Sequence, residues 1–82
     1  MPRAPESQTS NDRIYEDIRS SIIVGRYGPG ERLGLDTLAD RYGTSVTPVR
    51  EALQMLTQEG LVTNKPHAGF FVTRVTLKEL RD

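Results

Sequence analysis

The sequence contains no cysteine and only one histidine, His67. Disulfide bonds, thiolate metal sites and thiol nucleophiles are therefore excluded, and one histidine gives too few nitrogen ligands for a metal site within this chain. A single histidine is also little for general acid–base catalysis. No glycine-rich loop leads from a strand into a helix in the pattern that binds phosphates. These absences predict that the chain is not an enzyme and that it holds no metal or cofactor.

Long hydrophobic runs are also missing. No apolar segment approaches the roughly 18 residues that a membrane-spanning helix needs, and the N-terminal sequence, MPRAPESQTS, has no apolar stretch typical of a signal peptide. The lack of cysteine fits a reducing compartment. We therefore expect a soluble, cytoplasmic protein that has no membrane partner.

Neither sign of charge is in excess, since 11 basic and 11 acidic residues give a formal net charge of zero. Affinity for nucleic-acid phosphates is largely electrostatic, so this balance counts against strong nonspecific binding to a polyanion. A nucleic-acid-binding protein with this composition needs its charges segregated on the surface, or two copies that bind together.

The chain, 82 residues long, has the length of one small domain preceded by an arm. Residues 1–10 contain two prolines, two serines and one aliphatic side chain, Ala4, which predicts a flexible N-terminal arm. A first helix is expected from Ser10 or Asn11 to Gly25. Its apolar stripe is predicted at Ile14, Ile18 and Ile22, widened by Tyr15 and Ile23. The next segment, GRYGPGERL, is typical of a turn-rich connection into a short extended piece at Arg32 and Leu33.

Residues 35–54, LDTLADRYGTSVTPVREALQ, are the most informative segment. Two apolar runs at helical spacing flank Gly43, which can take the positive φ that ends a helix. The residues of these runs are Leu35, Leu38, Ala39 and Tyr42 on one side and Val49, Ala52, Leu53 and Leu56 on the other. The pattern predicts a helix-turn-helix.

The entrance of the second of these helices has polar chemistry suited to nucleic acid. Thr44, Ser45 and Thr47 are residues of the kind that cap helices, and Pro48 lies in the first turn, where its missing N–H breaks no intrahelical bond. Hydroxyls, backbone N–H groups and Arg50 are thus expected together at the N-terminal end. In DNA-binding proteins of this motif, that end enters the major groove.

After the third helix, expected to end at Glu59 with Gly60 just beyond, the apolar period changes from 3.6 to 2. The segments LVTN and FFVT are β-prone and are separated by KPHAG, which predicts a hairpin with a five-residue tip. The predicted fold class is therefore mainly α with a small β-hairpin, a winged helix-turn-helix of three helices and a two-stranded wing. It should span residues 11–75, with the helix-turn-helix at about 35–54 and the wing at about 61–74. Thr76 and Glu79 form a capping-box pattern, which predicts the start of a linker helix at 76–82.

Three segments together, IIVGRYGPGERL, LADRYGTSVTPVREALQMLTQEGLV and PHAGFFV, resemble the N-terminal domain of the GntR family of bacterial transcription regulators. The resemblance implies sequence-specific binding of double-stranded DNA by a homodimer on a short palindrome, with recognition helices in the major groove and wings toward the minor groove. The continuation VTRVTLKELRD resembles the linker of the FadR-type branch. Members of that branch continue into an all-helical domain that binds small carboxylates or metal ions, so an effector of this kind is expected only on such a domain, outside this chain.

Two positions depart from the family pattern. The family usually has a basic residue, commonly arginine that reads guanine, between the positions of Ser45 and Thr47, and this chain has Val46 there. Valine cannot make the bidentate contact to guanine O6 and N7 and offers only apolar contact, such as with a thymine methyl group. The competing interpretation makes Val46 a core residue under the turn. The family also often has a basic residue just before the glycine of the wing, where this chain has Ala68.

The candidate DNA-binding residues fall into three groups: Arg32 before the helix-turn-helix, then Thr44, Ser45, Val46, Thr47, Arg50 and Gln54, and finally Lys65, His67, Ala68 and Gly69 in the wing. Each has a structural alternative. Arg50 either contacts DNA or pairs locally with Glu51 or Gln54, and Arg32 either clamps a phosphate or bridges to a carboxylate of the second helix. Ser45 and Thr47 either contact phosphate or only cap the helix.

A different function class also stays open at this point. The neutral charge, Val46 and Ala68 leave a winged helix that serves only protein–protein interaction as the alternative. Arg41 is expected to form a surface ion pair with the adjacent Asp40.

Overall fold

The computed structural model describes residues 10–74, which form three helices and a small antiparallel sheet. The elements are α1 (Ser10–Ile23), β1 (Arg32–Leu33), α2 (Leu35–Tyr42), α3 (Val46–Gln58), β2 (Val62–Lys65) and β3 (Gly69–Val72). The predicted winged helix-turn-helix is confirmed. Most of the expected arm and the capping box at Thr76 and Glu79 lie outside the described residues. No helix within residues 10–74 is both long and apolar enough to cross a membrane.

Helix α1 presents a narrower apolar stripe than predicted. Ile14 and Ile18 are buried, but Ile23 is 59% exposed, and the side chain of Ser21 is buried instead. Successive residues of an α-helix are about 100° apart, so Ser21 lies almost over Ile18 while Ile23 has rotated about 140° away from it. The helix ends at Ile23, and Gly25, with a φ of 89°, lies in the turn that follows.

The turn between α2 and α3 has the geometry expected from Gly43. This glycine has a φ of 66° and a ψ of 40°, and its N–H donates to the carbonyls of Ala39 and Asp40 at the end of α2. The N–H of Thr44 also donates to the carbonyl of Ala39, at 2.9 Å. These bonds satisfy carbonyls that a helix end otherwise leaves without partners. The chain is then free to start α3 in a new direction.

The wing is part of a three-stranded sheet rather than the predicted two-stranded hairpin. The strand order is β1-β3-β2, and β1 pairs with β3 in the register Arg32↔Phe71 and Leu33↔Phe70. The short extended piece predicted at Arg32 and Leu33 is thus an edge strand of the wing. The loop of the hairpin is also shorter than the predicted five residues, because Lys65 and Gly69 pair with each other and leave only residues 66–68 at the tip.

Helix α3 runs through the middle of the core and packs against α1, α2 and β2. Its apolar face is fully buried over about two turns, at Val49, Ala52, Leu53 and Leu56. The other buried apolar side chains surround this face: Ile14 and Ile18 from α1, Leu38 and Ala39 from α2, and Leu33, Val62, Phe70 and Val72 from the sheet. Burial of apolar surface is the main stabilising contribution in a domain of this size.

Polar contacts join the helices around this core. The hydroxyl of Tyr42 at the end of α2 donates to Asp17 of α1 at 2.6 Å. Burial and this hydrogen bond raise the pKa of Tyr42, so the phenol stays protonated as a donor in alkaline solution as well as at neutral pH. Arg41 donates to the hydroxyl of Tyr27 at 2.6 Å. The prediction that Arg41 pairs with Asp40 is therefore wrong. The connection after α1 folds back over α2 and brings Tyr27 to Arg41 instead.

The central position of Leu53 gives a test of the helix phase. Leu53→Ala should lower the free energy of unfolding by roughly 2–5 kcal/mol, since Leu53 is fully buried in a core to which every helix and strand contributes, and these elements cannot all move to close the cavity. Thermal or urea unfolding measures this loss. Gln54→Ala is the matched control on the exposed face of the same helix. Equal melting temperatures for the two variants would contradict the burial of Leu53.

Candidate nucleic-acid interface

A surface groove lies between the start of α2, the start of α3 and the wing. Four of the candidate residues predicted from the sequence line it together: Arg32 from β1, Val46 and Arg50 from α3, and Gly69 from β3. The three elements that supply these residues lie far apart along the chain, and the pairing of β1 with β3 brings two of them into contact. The groove is therefore where the recognition helix and the wing meet.

The N-terminal end of α3 is open to solvent. Ser45 has the extended backbone of an N-cap residue, with a φ of −79° and a ψ of 175°, but its side chain makes no capping hydrogen bond. The predicted capping role of the Ser45 hydroxyl is therefore not observed, and the hydroxyl is available to a ligand. Ser45 and Thr47 are exposed beside the first N–H groups of the helix. These groups carry the partial positive charge of the helix dipole, which favours an anion such as phosphate.

Arg50 lies one turn into α3 and is exposed, beside the buried face. Within residues 10–74 its guanidinium has no hydrogen bond or ion pair. The local alternative predicted for it is wrong, because Glu51 accepts a hydrogen bond from Asn11 of α1 at 3.0 Å instead. Gln54 follows one turn later and is also exposed. A ligand can therefore bind Arg50 without breaking a contact inside the domain.

Val46 has an intermediate position. It is half-buried and packs against the core, and it also lines the groove beside Arg50. Neither of the two predicted placements, base edge or core, describes it completely. One part of the side chain faces the protein and the other part is open to the groove.

The tip of the wing is a tight, exposed turn. The N–H of Ala68 donates to the carbonyl of Lys65 at 3.0 Å, and His67 has a φ of 66°, in the left-handed region. The ammonium of Lys65 lies 4.9 Å from the centre of the Phe71 ring, on the outer face of the sheet. Lys65, His67 and Ala68 are all exposed. The wing thus presents one cation and one imidazole at its end.

Arg32 contacts the wing rather than α2. Its Nε donates to the carbonyl of Ala68 at 3.3 Å, and within residues 10–74 it forms no ion pair with a carboxylate of the second helix. The predicted carboxylate bridge is therefore wrong. The contact was not foreseen because it depends on the pairing of β1 with β3, which brings Arg32 beside the end of the hairpin.

Thr44 does not join the groove. It is half-buried and lines a separate depression beside Arg13, Asp17 and Tyr42, on the α1 side of the turn. Conversely, Asp36 and Thr37 line the groove from the first turn of α2 and were not among the residues predicted from the sequence. Their only signal was their place at the start of the first helix of the helix-turn-helix.

Charges near α3 are separated between its two sides. Arg50 and Arg32 line the groove together with one carboxylate, Asp36, whereas the carboxylates of Glu51 and Glu59 are held on the α1 side. Glu59 accepts a hydrogen bond from the hydroxyl of Tyr15 and lies 3.7 Å from the Nε of Arg19. The hydrogen bond to Glu59 raises the pKa of Tyr15. This separation gives a neutral chain a locally positive groove. It is the segregation of charge that a nucleic-acid-binding protein of this composition needs.

The profile of the family "Bacterial regulatory proteins, gntR family" matches residues 10–72, which is most of the chain. The chain belongs to the GntR family. The resemblance noted in the sequence is confirmed at this level. Because the family consists of transcription regulators, the prediction that the chain is not an enzyme is confirmed as well.

Individual GntR relatives agree with this assignment. The HTH-type transcriptional regulator BphR of Paraburkholderia xenovorans is 38% identical over 71 residues, covering 87% of this chain and 29% of that protein. The HTH-type transcriptional repressor GlaR of Escherichia coli is 38% identical over 68 residues, covering 83% of this chain and 31% of that protein. The chain thus spans about a third of the length of these curated relatives.

Solved structures show the same GntR fold. The structure of E. coli McbR/YncC superposes with a TM-score of 0.83 at 31% identity, covering 90% of this chain and 35% of that one. The domain AraR(DBD), solved in complex with operator ORX1, superposes with a TM-score of 0.76 at 24% identity, covering 89% of each chain. At 24% identity the second likeness concerns the fold alone.

Proposed function

We propose that this winged helix-turn-helix domain binds a specific operator in double-stranded DNA, with the start of α3 in the major groove and the wing directed to the flanking minor groove. The observation that carries the proposal is the groove in which Val46 and Arg50 of α3 meet Arg32 and Gly69 of the wing sheet. Membership in a family of transcription regulators gives this groove its function class. AraR(DBD), which has the same fold, was solved with an operator.

Positioning on the DNA backbone is assigned to the start of α3. The exposed Ser45 and Thr47 hydroxyls and the first N–H groups of the helix form a site that suits a phosphate. Such contacts fix the orientation of the helix but carry no sequence information. Lys65 and His67 at the wing would add contacts to the next phosphates or to the minor groove.

Reading of the sequence is assigned to Arg50, Val46 and Gln54. Arg50 and Gln54 are exposed one turn apart on the face of α3 that the core leaves open. An arginine side chain pairs well with guanine and a glutamine side chain with adenine in the major groove. Val46, half open to the groove, would contact a thymine methyl group. The operator should therefore lack the guanine that an arginine at position 46 would select.

Binding as a homodimer on a short palindrome accompanies this proposal. The chain has no net charge, so one copy gains little from long-range attraction to DNA. Linking two half-site interactions raises the effective concentration of the second and can increase the overall affinity by about 100-fold or more. We place the protein in the cytoplasm, where operator DNA is accessible.

The FadR-type branch is the finer family assignment that we propose, on the likeness of VTRVTLKELRD to the linker of that branch. In that branch a small carboxylate or a metal ion would act as effector on a C-terminal all-helical domain. The alternative, a winged helix that serves only protein–protein interaction, has less support, because the exposed Arg50 and the open end of α3 match what a duplex requires.

Arg50→Ala tests the recognition helix. The substitution should weaken binding to the selected operator by roughly 1–3 kcal/mol while leaving the melting temperature unchanged, since Arg50 has no partner among the described residues. Titration of a duplex selected from a random pool, at several salt concentrations, measures the loss. Arg26→Ala, which removes the same charge from an exposed position in the connection after α1, is the control.

Two results would count against this assignment. If Arg50→Ala and Arg26→Ala bind the operator equally well, Arg50 is not in the site. If the unmodified protein shows no specific duplex binding and no dependence on salt, the protein-interaction alternative holds instead.

Val46→Arg tests the reading of thymine. Because the outer part of Val46 is open to the groove, the arginine can extend toward the base edges without being buried. We expect a folded variant with higher general DNA affinity, a steeper salt dependence and a new preference for guanine at one position of each half-site. Duplex selection run beside thermal unfolding measures both effects. Loss of folding without a guanine preference would show that Val46 is a core residue.

A further inference from the structure

The side chain of Arg32 lies between the start of α2 and the wing. Its Nε donates to the carbonyl of Ala68 at 3.3 Å. Its Nε and Nη2 atoms lie 3.5 Å from the position that a Cβ on Gly69 would occupy, and its Nη1 lies 3.6 Å from the corresponding position on Gly34. The guanidinium therefore packs against the backbone of two glycines, one on each side of the groove.

We propose that Arg32 is a positioning residue, which holds the wing tip at a fixed place relative to α3 and so sets how the wing meets the minor groove. The inference rests on the proposed function of the groove. It assigns to Arg32 a hydrogen bond within the protein as its main role, in contrast to the phosphate clamp that its charge alone suggests.

The wing tip needs such support. It consists of only three residues, 66–68, and one of them, His67, has a left-handed φ of 66°. A residue other than glycine holds this conformation at a cost, so its surroundings must fix it. The hairpin itself supplies one bond, from the N–H of Ala68 to the carbonyl of Lys65. Arg32 supplies a second bond to Ala68 from outside the hairpin, through β1.

The strand pairing makes this bond an effective link to the recognition helix. β1 is joined to β3 through the pairs Arg32↔Phe71 and Leu33↔Phe70, and Leu33 is buried in the core that α3 dominates. α2 begins two residues after Leu33. Besides the hairpin strands themselves, the side chain of Arg32 thus connects the wing tip to the strand that is anchored in the core through Leu33.

Substitutions at position 32 separate positioning from charge. A glutamine places its amide nitrogen the same number of bonds from Cα as the Nε of arginine, so Arg32→Gln keeps a donor for Ala68 and removes the charge. Arg32→Lys does the reverse, because lysine has a methylene at that place and carries its charge one bond further out. Arg32→Met removes both the donor and the charge, and its side chain still reaches as far from Cα as the Nε of arginine.

The experiment compares these three variants on two operator duplexes, one with the flanking base pairs that the wing would reach and one trimmed to the base pairs under α3. On the long duplex relative to the trimmed one, Arg32→Lys and Arg32→Met should lose about tenfold in affinity, as expected for loss of one positioning hydrogen bond, and Arg32→Gln should stay within about threefold of the original protein. On the trimmed duplex, where only the charge in the groove differs, Arg32→Gln and Arg32→Met should bind equally and Arg32→Lys should match the original protein. In the free domain, the amide resonances of residues 67–69 should shift in the Lys and Met variants and remain in place in the Gln variant.

The opposite ranking overturns the proposal. If, on the long duplex relative to the trimmed one, Arg32→Lys keeps its affinity while Arg32→Gln loses it and the salt slope falls by about one, Arg32 is a phosphate contact. If the ratio of the affinities for the two duplexes is the same in all three variants as in the original protein, the proposal is overturned as well. If the unmodified protein binds neither duplex, the proposed DNA-binding function fails, while the amide shifts at residues 67–69 still decide whether Arg32 positions the tip.

Discussion

Burial of one face of α3 is the constraint on which the rest of the structure depends. The residues of this face, which are all fully buried, are Val49, Ala52, Leu53 and Leu56. Helices α1 and α2 and strand β2 pack directly against α3. Since the side chains of a helix radiate in all directions, fixing one face fixes the opposite one. Arg50 and Gln54 are exposed because Val49 and Leu53 are not. The core thus determines which residues can reach a ligand.

The same constraint explains how the helix and the wing come to form one surface. β2 packs on α3, β3 pairs with β2, and β1 then adds to the free edge of β3. Leu33, Val62, Phe70 and Val72 face the core, which leaves Arg32 and Phe71 on the outer face. A neutral chain thereby places two cations, Arg32 and Arg50, in the groove, while the one carboxylate of α3, Glu51, is held by α1. Segregation of charge, rather than net charge, makes the surface suitable for a duplex.

Local signals in the sequence predict most of the helical part of this domain. Gly43 has the positive φ that its place between two apolar runs indicated, and α3 ends one residue before the predicted Glu59. These features depend on neighbours within a few residues, where period and capping chemistry are informative. Ile23 was predicted on the buried face of α1 but is exposed. It is the last residue of the helix, and its angular position lies well away from that of Ile18.

The contacts that the sequence did not predict are all between segments distant in the chain. Arg41 pairs with Tyr27, where the sequence suggests Asp40, and Arg32 pairs with Ala68, where the sequence suggests either a DNA phosphate or a carboxylate of α2. Both contacts follow from how the α1–β1 connection crosses the domain and from the pairing of β1 with β3. Strand pairing of only two residues leaves no periodic signal. The composition of the groove, including Asp36 and Thr37, was hidden for the same reason.

The central claim is that the start of α3 and the wing tip bind the same duplex at the same time. Amide chemical-shift mapping of the isotope-labelled protein, titrated with an operator selected from a random pool, tests it most directly. We expect the largest changes at residues 45–50 and at residues 66–69, with saturation at the same duplex concentration, and small changes on the exposed side of α1. Changes confined to α1, or changes at the two predicted segments with different saturation points, would contradict a single interface.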